Sequence, residues 1–265
     1  MITPQAFENI SSLLKTHTGI YLNASKKQLV IGRLSKRLRE LDIKNYDAYY
    51  EACITSSDEL QTMINTLTTN ETSFFREMHH FEFMKQYILP QAKTSSFRVW
   101  SAAASIGAEA YSIAMQLDEW LTPRSLLWEV VGTDINTDVI QNASQGLYDM
   151  RFSEQIPHEY LKKYCLKGVG TNHGKFLVGE YLREKVHFLY ANLMMPLPKE
   201  LGKFDVIFLR NMLIYFNEEE RKKIVQNVLQ LLKPHGYLFL GHAETITQFN
   251  LKVRQTRPTI YKNGA

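Results

Sequence analysis

The chain has 265 residues, 45% of them hydrophobic and 22% charged, enough for one large globular unit or two modest ones with a real core. No apolar run approaches the ~20 residues of a membrane span, the start has no signal-peptide pattern, and two cysteines, Cys53 and Cys165, make neither a disulfide framework nor a metal-spaced pair. A net charge of +4 is too mild to argue for nucleic acid, so the expectation is a cytoplasmic protein with no membrane insertion.

The first third reads as helical. Phe7, Ile10 and Leu14 share one face of a first helix, and Lys26 to Leu41 forms a second with Val30, Leu34, Leu38 and Leu41 as its apolar stripe. Lys26, Arg33, Lys36 and Arg37 flank that stripe. From Lys26 to Lys44 seven basic residues face two acidic ones. Such a flank is either a solvated face or a docking surface for an acidic partner. Tyr46 to Leu67 supplies further helices. The polar cluster from Thr68 to Ser73 is loop or cap chemistry and runs into Phe74-Phe75-Arg76-Glu77. This stretch is a surface loop, read as a linker tied down by aromatics or as a lid with Asn70 and Thr72 as hydrogen-bonders and Arg76 aimed into a site. His79 and His80 follow on a helix. As neighbours they should point in different directions, so no metal pair is expected.

Phe97 to Ala103 reads as a buried strand, followed by small residues, a turn at Gly107 and a helix carrying Tyr111, Ile113, Ala114 and Leu117. Strand, small-residue turn and helix let backbone N–H groups approach a ligand. A second strand, Leu127 to Gly132, ends in Thr133-Asp134, where an acidic side chain can accept from ribose hydroxyls. The single glycine leaves a packed corner with a capping Asp as an equal alternative. Val186 to Ala191 reads as a third strand and Phe204 to Leu209 as a fourth, apolar throughout as in a sheet buried on both faces. Arg210 to Phe216 lies at the fourth strand's C-terminal end, where open α/β sheets bind ligands. Glu218 to Leu232 is an amphipathic helix stopped by Lys233-Pro234-His235-Gly236, Tyr237 to Leu240 a fifth strand, and Leu251 to Arg254 with Thr259 to Lys262 a final hairpin. Leu166 to Leu182, with Gly168, Gly170, Gly174 and Gly179, reads as a small antiparallel appendage.

TTNETSFFRE, RVWSAAASIGAEAYSIAM, GTDI and LRNMLIYF occur in the order and at roughly the spacing of the CheR-type chemotaxis receptor methyltransferases. The chain resembles that family over nearly its whole length. The resemblance implies an α/β fold: a Rossmann-like methyltransferase sheet with an antiparallel C-terminal hairpin, a small β-subdomain insertion, and an all-helical N-terminal domain. It implies domains at 1–67 (receptor docking), 68–95 (linker and lid) and 96–265 (S-adenosylmethionine binding, with the insertion at about 165–183). It implies transfer of a methyl group from S-adenosylmethionine to receptor glutamates, with S-adenosylhomocysteine as product and no metal. A glutamate of reference pKa about 4.3 is already ionised at pH 7, so no base is needed. Asn70, Thr72, Arg76, Gly107, Glu109, Asp134, Asn192 and Asn211 then form the cofactor site, with Asn192 at the adenine. Arg76 and Tyr215 act on the reacting groups.

The implied partner is the cytoplasmic domain of a methyl-accepting chemotaxis receptor, met by a monomer through Arg33, Lys36 and Arg37. In some members the subdomain, here at Gly168 and Gly170, binds the receptor's C-terminal peptide as an added strand. Where the family usually reads CSTGEEPYS, this chain has Ile106, Ala108 and Ala110 around Gly107 and Glu109, which loses polar contacts worth about 0.5–1.5 kcal/mol each. The alternative is therefore a cofactor-binding module that docks without methylating. A nucleic-acid amino-methylase would carry Asp/Asn-Pro-Pro-aromatic after the fourth strand, and a nicotinamide enzyme a fuller glycine fingerprint.

Overall fold

The computed structural model describes residues 2–93 and 96–264. The expected end of the linker, residues 94 and 95, lies outside the described residues. Four helices open the chain: α1 (Pro4–Thr18), α2 (Lys27–Glu40), α3 (Tyr46–Thr55) and α4 (Ser57–Leu67). Thr3 caps α1 by accepting the Ala6 N–H, with Pro4 at the first helical position, and Asn45 and Ser56 cap α3 and α4. Ile10, Leu14, Val30, Leu34, Tyr49 and Met63 share one core. The α2 stripe stops at Leu38; Leu41 lies past the helix and is exposed.

Two of the basic residues expected to dock a partner are used inside this bundle. Arg33 Nη1 donates to the carbonyls of Leu67 and Thr68, both at 2.8 Å, closing the C-terminus of α4. Arg37 donates to the Glu59 carboxylate through Nε at 3.0 Å and also through Nη2, and the Tyr49 hydroxyl donates to the same carboxylate at 2.8 Å. The Arg37 guanidinium is thus engaged by Glu59, and by Glu40 at 3.3 Å, with 29% of its side chain still exposed. Lys36 has 81% of its side chain exposed and only an exposed ion pair with Glu40 at 3.5 Å, which leaves it accessible to a partner.

After α5 (Met78–Phe83) comes the sheet-forming part: β1 (Ser96–Ala102), α6 (Ala108–Leu121), β2 (Leu127–Asp134), α7 (Thr137–Gln145), β3 (Leu147–Asp149), α8 (His158–Tyr164), β4 (Cys165–Lys167), β5 (Lys175–Val178), α9 (Glu180–Arg183), β6 (Val186–Tyr190), β7 (Phe204–Leu209), α10 (Glu218–Leu229), β8 (Leu232–Leu240), β9 (Val253–Arg257) and β10 (Ile260–Asn263). The main sheet has the order β6-β2-β1-β7-β8-β10-β9. The first five strands are parallel, with Val99 opposite both Val130 and Val206, and β10 runs antiparallel to β8 and β9. The chain builds outward from β1 through β2 to β6, then returns to β7 on the other side. The strand order reverses between β1 and β7, and the crevice opens above their C-terminal ends. Separate apolar clusters cover the two faces, with Val206 and Phe208 of the FDVIFL run in one and Phe204, Ile207 and Leu209 in the other.

Three expectations change. Helix α10 ends at Leu229, because Leu232 already pairs with Phe204, and Lys233 to Gly236 form the irregular start of β8. The appendage has three strands in the order β3-β5-β4; Leu147–Asp149 is too short to show alternation in sequence. Phe74 and Phe75 are buried, not surface residues. Phe74 packs on Tyr148 (5.0 Å between centroids) and Phe75 on Phe81 (5.1 Å) and Tyr160 (5.5 Å), which ties the linker to α5 and the appendage.

His80 is fully buried, stacked on Phe239, with Nε2 2.8 Å from Thr259 Oγ1. Burial first, then the nearby charges of Arg210 and His79, push its pKa down to about 2. Its folded pKa lies below the unfolded value of about 6.5, so its contribution to stability is complete above pH 6.5 and fades as pH falls toward the folded value. The wild-type advantage over His80→Gln in urea unfolding should shrink by up to about 2 kcal/mol between pH 7 and pH 5. A pH-independent difference would mean that His80 protonates within the fold.

Candidate functional site

A cleft of about 1340 Å³, its open mouth included, sits above the C-terminal ends of β1, β2, β6 and β7. The loops after those four strands, the 68–77 lid and the α1–α2 connection make its walls. Asn70, Thr72, Arg76, Glu109, Asp134, Asn192, Asn211 and Tyr215 all line it, so residues spread over 146 positions meet around one space.

Asp134 forms part of the floor. Its carboxylate accepts the Ser105 N–H at 2.8 Å and the Asn136 N–H at 2.9 Å. Burial pushes its pKa up, and those N–H groups oppose the rise. A carboxylate has about four acceptor positions, so capacity remains toward the cleft. Glu109, in the first turn of α6, accepts from Ser101 Oγ at 2.6 Å and stands 3.4 Å from Arg210 Nη1. Burial raises its pKa too, with Arg210 the main opposing influence.

Arg210 follows β7 directly, with 2% of its side chain exposed. It donates to the Arg76 carbonyl and lies 3.7 Å from Glu77 Oε2, while Nε and Nη1 are buried with no hydrogen-bond partner among the described residues. Asn211 adopts φ 57° and donates through Nδ2 to Glu77 Oε1 at 3.1 Å. The Arg76 side chain is exposed at the mouth and donates to the Glu71 carbonyl at 3.3 Å. Tyr215, 39% exposed, stands on the Leu213–Tyr215 turn. Asn192 spends Nδ2 on the His17 carbonyl at 2.7 Å, so it braces α1 as well as lining the cleft.

Gly107 does not line the cleft. At φ 83° it is a packing position, where a Cβ would come within 2.8 Å of both Ala143 and Phe188. The residues that approach the cleft there are Ala103 (φ 64°) and Ser105 (φ 52°), both left-handed without being glycine. Their run of small side chains is the signal that the turn had more to offer than its glycine. Ala108 and Ala110 are fully buried, and Ile106 packs on the core; none of the three lines the cleft. The departures from the usual motif therefore change packing and not the cleft surface.

His79 and His80 do not diverge; their rings lie 4.1 Å apart. With Glu77 they offer three ligand-type atoms within 4.8 Å of one another, so spacing alone does not exclude a metal there. The Arg210 guanidinium beside Glu77 opposes a further cation.

Sequence reasoning missed the wall given by the helical bundle. Ile20, Tyr21, Leu22 and Lys26 line the cleft from the α1–α2 connection. The bundle also grips the loop beyond Asp134: Asn65 accepts the Thr137 N–H at 3.0 Å, and Asn136 Nδ2 donates to the Asn65 carbonyl at 2.9 Å. These contacts span about 70 residues of sequence and leave no local pattern.

Residues 70–262 match the family described as CheR methyltransferase, SAM binding domain, and residues 5–68 match its all-alpha domain. Chemotaxis protein methyltransferase 2 of Pseudomonas aeruginosa is 38% identical over 98% of this chain and 93% of its own length. The chemotaxis protein methyltransferase of Escherichia coli is 36% identical over 96% of this chain and 89% of its own. With both of its domains matched and the likeness to these relatives covering bundle, lid and sheet alike, the chain belongs to the CheR methyltransferase family.

Proposed function

We propose that the chain transfers a methyl group from S-adenosylmethionine to glutamate side chains of methyl-accepting chemotaxis receptors, the adaptation step of bacterial chemotaxis, as a protein-glutamate O-methyltransferase. The observation that carries this reading is the charge layout of the cleft. Asp134 and Glu109 are buried on its floor, Arg210 lies beside Glu109 with unpaired donors, and Arg76 and Tyr215 stand at its mouth. The cofactor presents a ribose diol, an ammonium, a carboxylate and a sulfonium, and these residues fit it class by class. Asp134 suits the diol, the carboxylates suit the cationic groups, and the free N–H groups of Arg210 suit an anion. Asn70, Thr72, Asn192 and Asn211 complete the surround. When bound, the cofactor supplies an electrophilic methyl group.

The protein's own work is alignment and exclusion of water, worth on the order of 7–11 kcal/mol when reactants are well oriented. The lid and the bundle's connection cover the cleft from two sides. Arg76 attracts the incoming carboxylate and Tyr215 orients it with its hydroxyl. A docking module without transfer activity has less in its favour, since Ile106, Ala108 and Ala110 lie off the cleft surface.

For receptor docking, the reading keeps the exposed Lys36 of α2, adds the exposed Arg39, and gives Arg33 and Arg37 a first role in the bundle. Strand β4 is an edge of the appendage sheet, and the turn at Gly168 and Gly170 leads from it toward β5, an arrangement suited to strand addition by a receptor tail.

Calorimetric titration with S-adenosylmethionine should give tenfold or weaker binding in Asp134→Ala, taking roughly 1.5–3 kcal/mol for a charged hydrogen bond. Unchanged affinity in the folded variant removes Asp134 from the ribose. With labelled cofactor and a receptor cytoplasmic domain, the product should be a base-labile ester. Arg76→Ala and Tyr215→Phe should lower turnover more than cofactor affinity. A cofactor-saturated wild type that labels no cognate receptor overturns the enzymatic reading.

Charge reversal of Lys36 and Arg39 should reproduce the fall in methylation caused by raising salt, since exposed charges are screened beyond about 8 Å at physiological salt. A peptide copying the receptor's C-terminal tail should bind with little salt dependence and lose binding when Gly168 to Gly170 are deleted. No binding at millimolar peptide would leave the appendage without a docking role.

A further inference from the structure

Glu244 lies on the loop after β8, outside the cleft lining, yet its carboxylate governs a segment that lines it. It is 7% exposed and accepts three backbone N–H groups: Gly241 at 2.8 Å and Asn211 at 2.9 Å on Oε2, and Leu213 at 2.7 Å on Oε1. A backbone N–H needs a partner when buried, and a carboxylate is the side chain whose two oxygens both accept. The loop it holds is not in a relaxed conformation, because Asn211 is left-handed at φ 57°. The fit is close. A Cβ at Gly241 would fall 2.5 Å from Asn211 Nδ2 and 2.7 Å from Asn211 N. On the far side Arg221 Nε donates to the carbonyls of Leu213 at 2.9 Å and Phe216 at 2.7 Å. The single turn Leu213–Tyr215 is therefore clamped between a carboxylate and a guanidinium, with Tyr215 projecting at the cleft mouth.

We propose that Glu244 is a positioning residue for the transfer step: through the Leu213 N–H it fixes the turn that presents Tyr215. The proposal rests on the enzymatic reading above and adds a residue that touches neither reactant. The two oxygens divide the work. Oε2 serves Gly241 and the cleft-lining Asn211, and Oε1 serves Leu213, which opens the turn that carries Tyr215. In Glu244→Gln the amide oxygen keeps the position with two N–H donors, and the NH2 group is left facing the Leu213 N–H, donor against donor. The substitution thus releases the turn while leaving Asn211 held.

The test measures Glu244→Gln in four ways. At saturating cofactor and receptor, kcat per folded molecule should fall at least tenfold. Calorimetric affinity for S-adenosylmethionine should stay within threefold of wild type. The Leu213 amide should exchange with solvent at least tenfold faster by NMR, the Asn211 amide remaining protected. On a Tyr215→Phe background the substitution should cost less than a further threefold in kcat, because the group it positions is already gone. Wild-type kcat in the folded variant, unchanged Leu213 protection, or a full multiplicative loss in the double variant overturns the proposal; a residue needed only for folding would lower the folded fraction and leave kcat per folded molecule intact. If Glu244→Gln does not fold, Glu244→Asp keeps the charge and both acceptors but retracts them by about one C–C bond length. It withdraws the acceptor from Asn211 as well, so it is judged on kcat and on the Leu213 amide alone: the same tenfold loss and tenfold faster exchange are expected, and wild-type values of either overturn the proposal. A wild type that methylates no receptor overturns the enzymatic reading instead, and the Leu213 amide then decides on its own whether the carboxylate holds the turn.

Discussion

The buried guanidinium of Arg210 is the constraint to which much of the cleft answers. Removing a charged group from water costs several kcal/mol even after relaxation, and only good partners offset it. Here the partners come from two distant parts of the chain: Glu109 from α6, and Glu77 with the carbonyl of Arg76 from the lid. Bringing Glu77 and the Arg76 carbonyl to it requires the lid to fold back over β7. The aromatic packing of Phe74 and Phe75 holds it there. One cation thus ties lid, helix and sheet together, and its Nε and Nη1 still make no hydrogen bond among the described residues.

That closure is strained. Around the cleft, Phe75, Glu77, Ala103, Ser105 and Asn211 all have positive φ without being glycine. Such conformations cost of order 1–3 kcal/mol each and persist only where surrounding contacts over-determine them. The contacts are visible: Ser112 Oγ accepts the Phe75 N–H, Asp134 the Ser105 N–H, and Glu244 the Asn211 N–H. Side chains with two or more acceptor sites are stationed where the backbone turns the wrong way. Two of them, Asp134 and Glu244, are carboxylates whose burial works against ionisation.

Much of this architecture was legible in the amino-acid order because it is local. The FDVIFL run declares a doubly covered strand, and Asp134 follows an apolar strand at the point where a nucleoside site needs an acid. What stayed hidden is long-range or ambiguous. Arg33 and Arg37 look like surface charge until α4 supplies the carbonyls and the carboxylate that engage them. Gly107 looks like a ligand-approach glycine because Phe188, which fills the space above it, comes from a strand 81 residues away. The wall from the α1–α2 connection could not be read at all, since nothing in Ile20-Tyr21-Leu22 says which surface it will meet.

The way α1 ends has a wider consequence. Its last turn is pinned to the sheet domain, with the His17 carbonyl accepting from Asn192, and Gly19 so close to Met194 and Phe216 that an added Cβ would come within 2.9 Å of each. The bundle is therefore not an independent module that happens to sit nearby. Its junction with the sheet is one wall of the cleft, so separating the two units and opening the cleft are the same event. Any molecule held in that cleft bridges both units and, by mass action, stabilises their union. Occupancy then becomes a mechanical property of the whole chain: a filled cleft adds its own contacts to those that already join the two units.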